Sequence, residues 1–173
     1  FAYRRQGMAD EAILYLTEAA EILEQLMDTF HLAIVLLNLG SSYNEIGQPG
    51  DAKKPLLQAE RMFQRLGATR LLANTNVSLG NNFLDQGDLA EAINRFALAA
   101  QQFAQLESAG DELNAKYGLA YAYKQSGEYE AAEAILEEIS ARLPSIAGIP
   151  FHYDFLSAEL PEQLAEVRRA SAQ

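Results

Sequence analysis

The residues that could do chemistry in this chain are few. There are 2 histidines, His31 and His152, and no cysteine. Neither histidine has a second one four residues away, the spacing that lets one helical face hold zinc. Without cysteine there is no thiolate ligand, no disulfide and no thiol nucleophile. His31 follows Asp28 by three residues, which suits a hydrogen bond near a helix start rather than proton transfer. His152 stands among Phe151, Tyr153 and Phe155 and reads as a packed ring. Glu130, Glu133, Glu137 and Glu138 crowd one segment. A carboxylate pair doing acid–base work needs a cleft that drives its two pKa values apart, and acids spaced along a solvated helix face lack one. They also lack the order and central glycine of a calcium loop. No glycine-rich phosphate loop is present, and no serine sits in the G-x-S-x-G context of a hydrolase. The expectation is no catalytic residue, no metal and no cofactor.

Composition narrows the partners. The chain has 173 residues, 49% of them hydrophobic, a proportion that suits one folded domain. Lysine and arginine number 13 against 24 acids, a net charge of −11. Such a chain is repelled by phosphate backbones and anionic lipid, so neither nucleic acid nor membrane is an expected partner. The longest apolar run, Leu32 to Leu37, is far too short to span a bilayer. Absence of cysteine suits the cytoplasm. The chain opens on Phe1 with no charged-then-apolar leader, so a piece of a longer protein is expected.

The elements that position these residues are set by an internal repeat. Gly7, Gly47, Gly87 and Gly127 lie at steps of 40, as do Ala12, Ala52, Ala92 and Ala132. Tyr3, Tyr43, Phe83 and Tyr123 keep the same register, and so do Leu16, Leu56, Phe96 and Leu136. Leu39-Gly40, Leu79-Gly80 and Leu119-Ala120 form further columns. Each unit reads as two helices. Asp88 to Glu91 offers a capping box, Ala92, Ile93, Phe96, Ala99, Ala100 and Phe103 follow one helical face, and Ser108 to Asp111 signals a second start. Gly127 suits a left-handed cap. The pattern predicts helices near 10–27, 30–46, 51–66, 70–86, 89–106, 112–126 and 129–142, with small residues at Gly40, Gly80, Ala92 and Ala132 where paired helices cross.

Leu39-Gly40-x-x-Tyr43 followed by Ala52-x-x-x-Leu56 resembles the tetratricopeptide (TPR) pattern of L-G-x-x-Y and A-x-x-x-F. Leu79-Gly80-x-x-Phe83 with Ala92-x-x-x-Phe96 matches again, as does Leu119-Ala120-x-x-Tyr123 with Ala132-x-x-x-Leu136, and Pro144 stands where the motif closes. Two departures are visible. The motif's tryptophan column holds Leu36, Asn76 and Lys116, and the period of 40 is longer than usual. That long variant is similar to repeats of kinesin light chains and MalT-type regulators. The resemblance implies an all-α solenoid over 1–143, with a partial repeat 1–29 and repeats 30–69, 70–109 and 110–143. Residues 144–173 would form a capping segment in which Pro161 opens a last helix running toward Ala172.

In the TPR family the first helix of each pair lines a concave groove that receives a peptide or a partner helix. Carried onto this chain, the groove candidates are Ile34, Leu37, Asn38, Ser41, Asn44 and Glu45. The next repeat adds Asn74, Val77, Ser78, Asn81, Leu84 and Asp85, and the third Asn114, Tyr117, Gly118, Tyr121, Lys124 and Gln125. Asn38, Asn74, Asn81 and Asn114 would form an amide ladder suited to an extended peptide backbone. Leu37, Val77 and Leu84 would add an apolar strip, and Tyr117, Tyr121 and Lys124, at i, i+4 and i+7, an aromatic anchor. A competing reading has the tail covering those tyrosines. From Glu107 to Glu138, 8 acids against 2 lysines would draw a basic partner. The expected function is a noncatalytic, cytoplasmic protein- or peptide-binding scaffold. The alternatives are a sensor segment of a larger regulator and a self-association module, a homodimer formed through the N-terminal edge or the aromatic tail.

Overall fold

The computed structural model describes residues 2–146 and 150–172, with the side chains of 2–9 and 150–153 outside the described set. Its described secondary structure is helical, with no strand among the described residues. Two compact units divide the chain, Phe1–Gly87 and Asp88–Gln173. The first holds α1 (Ala2–Gln25), α2 (Thr29–Glu45), α3 (Pro49–Leu66) and α4 (Thr69–Asp85). The second holds α5 (Leu89–Gln105), α6 (Ala109–Ser126), α7 (Tyr129–Arg142), a 3-10 turn (Leu143–Ile146) and α8 (Pro150–Ser171). Within each unit every helix packs on the next in sequence, and α2 also touches α4, as α6 touches α8.

Half of the expected capping box is present, because the Glu91 carboxylate turns to Arg95 at 2.8 Å, and Ser108 begins α6 without a side-chain cap, donating to Asp111 Oδ2 at 2.6 Å. Asp88 accepts from the backbone N–H of Glu91 at 3.3 Å. Asp28 caps α2 in the same way, taking the N–H of His31 at 3.2 Å and its Nδ1 at 2.8 Å, which assigns His31 a structural partner. Helix ends form two columns of left-handed residues. Gly47, Gly87 and Gly127 have φ of 73°, 77° and 83°. The second column, Met27, Gly67 and Glu107, has φ of 55°, 66° and 54°, also at steps of 40. Each of these three donates to the carbonyl three residues back, and the following residue to the carbonyl five back, the pattern that closes a helix end. Only one of the three is glycine, so this column was invisible to a glycine count.

The repeat's small residues let helices meet closely. A Cβ on Gly40 would run into Leu56 Cγ and stand 3.1 Å from the carbonyl oxygen of Ala52. Ala52, Leu56, Ala59 and Phe63 are fully buried on α3, and Ala132, Leu136 and Ile139 are buried on α7. Two groove expectations fail here. Leu37 is buried in the core, and a Cβ on Gly118 would stand 2.6 Å from Phe96 Cε1, so Gly118 faces α5 rather than a ligand.

The last helix is the largest correction. It begins at Pro150, not Pro161, and Pro161 lies inside it. An interior proline forfeits one backbone hydrogen bond, but Leu156, Leu160 and Val167 are buried in the unit's core on both sides of that residue. Burial of three large side chains, each contributing roughly 1.5–3 kcal/mol, outweighs that one bond. The stripe Leu156, Leu160, Leu164, Val167 is continuous in the sequence and was the signal to read. Gly148 and the side chains of Tyr3 and His152 lie outside the described residues. The first helix is a further correction: α1 begins at Ala2 rather than near residue 10, so Gly7 lies inside it and closes no helix end, unlike Gly47, Gly87 and Gly127.

Two substitutions test these contacts by urea unfolding. Gly40→Leu is expected to lose about 3 kcal/mol by overpacking the α2–α3 crossing. Glu107→Gly is expected to gain about 1 kcal/mol by relieving the left-handed backbone.

Candidate functional site

The groove candidates lie on α2, α4 and α6, and the structure sorts them into committed and uncommitted groups. A polar seam joins α2 to α4. Ser41 Oγ and Ser78 Oγ are 2.9 Å apart, and Asn44 Nδ2 donates to the Ser78 carbonyl at 2.9 Å. Asn82, fully buried, donates to Asn44 Oδ1 at 2.9 Å and to the Pro49 carbonyl at 2.7 Å. Its oxygen accepts from Gln86 Nε2 at 2.7 Å. Both amide hydrogens and the oxygen of Asn82 are therefore used, which a buried amide requires. Three groove candidates, Ser41, Asn44 and Ser78, are thus spent in this seam. Asn82 and Gln86 were not singled out from the sequence; Asn82 sits beside Asn81 with nothing local to mark which of the two turns inward.

On α4 the residues left outside the seam form one stripe. Asn74, Val77, Asn81 and Leu84 follow i, i+3, i+7 and i+10, one helical face. Asn74 and Asn81 are exposed, Val77 and Leu84 half-buried, and Asn38 on α2 is exposed. The corresponding stripe of α6 is Asn114, Tyr117, Tyr121 and Lys124, all half-buried, and α8 engages most of it. Tyr117 meets Phe155 edge-on, 5.4 Å between centroids at 81°. Burial, with the Glu159 carboxylate adding to it, pushes the Tyr117 hydroxyl up to about 12. Lys124 Nζ donates to Gln163 Oε1 at 2.6 Å, pairs with Glu166 Oε2 at 2.8 Å and lies 4.9 Å over the Tyr121 ring. Lys124 stands two repeat steps after Asn44, and Glu166 two after Gln86. The α6–α8 contact is thus the α2–α4 seam rewritten with charges.

The acids on α7, read as a solvated face, are in part ion-paired. Glu133 and Glu137 each take Arg168 of α8 at 2.7 Å. Glu138 takes Arg142 at 3.2 Å and Lys116 at 2.5 Å. Glu112, 6% exposed, receives both Nη atoms of Arg142, Nη2 at 2.7 Å, and Lys116 at 3.0 Å. That bidentate Arg142 contact holds the Glu112 carboxyl down at about 2. Lys116 occupies the motif's tryptophan position, so an ion-paired cluster replaces an aromatic contact. Among the described residues no group of three or more histidines and carboxylates could hold a metal. No helix among them is long and apolar enough to cross a membrane.

Comparison with known proteins supports the repeat reading. A family model described as soluble NSF attachment protein, SNAP, matches residues 1–146. A point variant of a Podosopora anserina protein of nearly identical TPR-like repeats, assigned to the kinesin light chains, is similar in structure with a TM-score of 0.71 at 21% identity. That match covers 99% of this chain and 91% of the other. A second structure of that protein, without the substitution, has a TM-score of 0.59 at 20% identity, covering 98% and 94%. These likenesses show the all-α, TPR-like fold. No curated protein sequence matches the chain.

The Glu112 cluster makes a pH prediction. Its folded pKa is depressed, so its contribution is complete above the ordinary carboxylate value of 4.5 and is lost as pH falls toward about 2. Arg142→Met should cost about 2–3 kcal/mol at neutral pH by leaving a buried carboxylate short of its main partner. That penalty should shrink as the pH approaches 2, read from unfolding at stepped pH.

Proposed function

This chain belongs to the soluble NSF attachment protein family, and on that premise we propose that it is a noncatalytic module that holds an extended peptide or partner helix along its first helices. TPR-like repeat folds generally serve as scaffolds for protein interaction, and the family takes its name from attachment to another protein. The observation that carries the reading is the α4 stripe. Asparagine is a mediocre helix former, yet Asn74 and Asn81 stand exposed two turns apart while Asn82 is spent inside the seam. Exposed amides offer a donor and an acceptor to a peptide backbone, and Val77 and Leu84 between them supply apolar contact. Asn38, exposed on α2, extends the stripe, while Ser41 is held in the seam. Asn114, Tyr117, Tyr121 and Lys124 hold the corresponding columns on α6, where α8 engages Tyr117 and Lys124. Basic or apolar anchors suit the ligand, since acids outnumber lysines around α6 and α7. The cysteine-free composition fits a cytoplasmic setting.

The test begins with peptides selected from a display library on the purified chain. Calorimetry then compares the wild type with the double variant Asn74→Ala, Asn81→Ala. The expected result is affinity weakened by roughly tenfold, about 1.4 kcal/mol for two net hydrogen bonds, with unchanged thermal unfolding. Equal affinity in the double variant would remove the amide stripe from the reading.

A further inference from the structure

The second helices of the first unit, α1 and α3, both pack on α2, and their matching columns carry opposite charge. On α3 the exposed column residues are Lys54, Gln58, Arg61 and Arg65; 40 residues earlier, on α1, they are Leu14, Glu18, Glu21 and Gln25. Asp10 and Glu11 extend the acidic strip, and Lys53 borders the basic one, its Nζ lying 4.7 Å over the Phe83 ring. Lys53, Lys54, Leu57 and Arg61 line a shallow open depression.

Two features set these strips apart. First, their charges are unpaired. In a chain with 24 acids, none of Lys53, Lys54, Arg61 and Arg65 makes an ion pair among the described residues, nor does any acid of the α1 strip. By contrast Arg95, Lys116, Lys124, Arg142 and Arg168 each hold a carboxylate. Second, α1 exposes apolar residues whose column mates on α3 are more covered, Pro55 being buried and Met62 half-buried. Leu14, Tyr15 and Ile22 are each more than half exposed, and Leu26, Met27 and Phe30 follow in the turn and the start of α2.

We propose that unit 1 pairs with a second copy of itself about a two-fold axis, α1 of each copy lying on α3 of the other. Equal repeat columns turn both strips toward the same side of the unit, so a two-fold rotation brings acid onto base twice over. The charged stretches, Asp10 to Glu21 and Lys54 to Arg65, each advance 11 residues along their helix, about 16 Å at helical rise, so they match in length. The aliphatic stems of Lys54, Arg61 and Arg65 would cover Leu14, Tyr15 and Ile22 while their heads meet Glu18 and Glu21. Such a contact is self-complementary and closes at two copies. These second-helix faces are separate from the α4 amide stripe, so this inference and the peptide-binding reading can fail independently.

The experiment is sedimentation velocity from low micromolar to several hundred micromolar at about 0.15 M salt, where long-range repulsion between acidic chains is screened but contact pairs persist. The wild type is expected to dimerise. Glu18→Lys with Glu21→Lys in one chain, or Lys54→Glu with Arg61→Glu in another, should each weaken dimerisation by tenfold or more. Mixing the two variants should restore a one-to-one heterodimer, because both crossed contacts then pair opposite charges. Circular dichroism melting of each variant confirms that the fold is retained. A monomer at every concentration, a dimer indifferent to both reversals, or growth into larger open assemblies would overturn the proposal.

Discussion

Close approach of neighbouring helices is the constraint on which the rest of this molecule depends. At the α2–α3 crossing a single added carbon on Gly40 meets Leu56 and the Ala52 carbonyl. The sequence keeps a glycine or alanine in that column and an alanine 12 residues on, at Gly80 and Ala92 and at Ala120 and Ala132; in the second unit Gly118 lies as tightly against Phe96. Once two backbones come that near, the larger residues around them have little freedom. Leu56, Phe63 and Leu79 lose all exposure, and the polar side chains must find partners in what space remains.

That constraint explains how asparagine serves two purposes on one helix. Asn81 and Asn82 are adjacent, and a helix turns about 100° per residue, so one faces outward and the other enters the α2–α4 contact. The buried amide is saturated by Asn44, Pro49 and Gln86, which sets the register of α4 against α2. At the other end of the chain Lys124 and Glu166 stand in the columns of Asn44 and Gln86, and α8 packs on α6 through a charged version of the same contact. An ion pair there, together with Arg168 bridging to Glu133 and Glu137, suits a helix that also covers the apolar edge of α7.

Much of the architecture was legible in the sequence. Six of the eight described α-helices, α2 to α7, follow from glycine and alanine columns, cap residues and 3.6-residue periodicity, because these are local or strictly periodic signals. The first starts at Ala2 and passes through Gly7, where the repeat pattern placed a helix end. The eighth was shortened at Pro161, where a local rule about proline was outweighed by burial of Leu156, Leu160 and Val167. The left-handed residues Met27 and Glu107 escaped notice because their side chains do not advertise the conformation that the repeat imposes on them. Among the candidate residues type was legible more than use: Asn74 and Asn81 are exposed on one face of α4 with Val77 and Leu84 half-buried between them, whereas Leu37 and Gly118 are core residues and Ser41, Asn44 and Ser78 belong to the seam.

By itself, then, the amino-acid order determined an all-helical repeat of helix pairs, its period, its small-residue crossings and its lack of nucleophile chemistry based on thiols. Those properties live in spacing and composition. Only the tertiary structure decided which polar groups are spent and which are left over. Glu112 is held by Arg142 across 30 residues and Asn82 by Asn44 across 38. Whether a charge is paired or exposed depends on a neighbour far along the chain, and no local pattern encodes that neighbour's position.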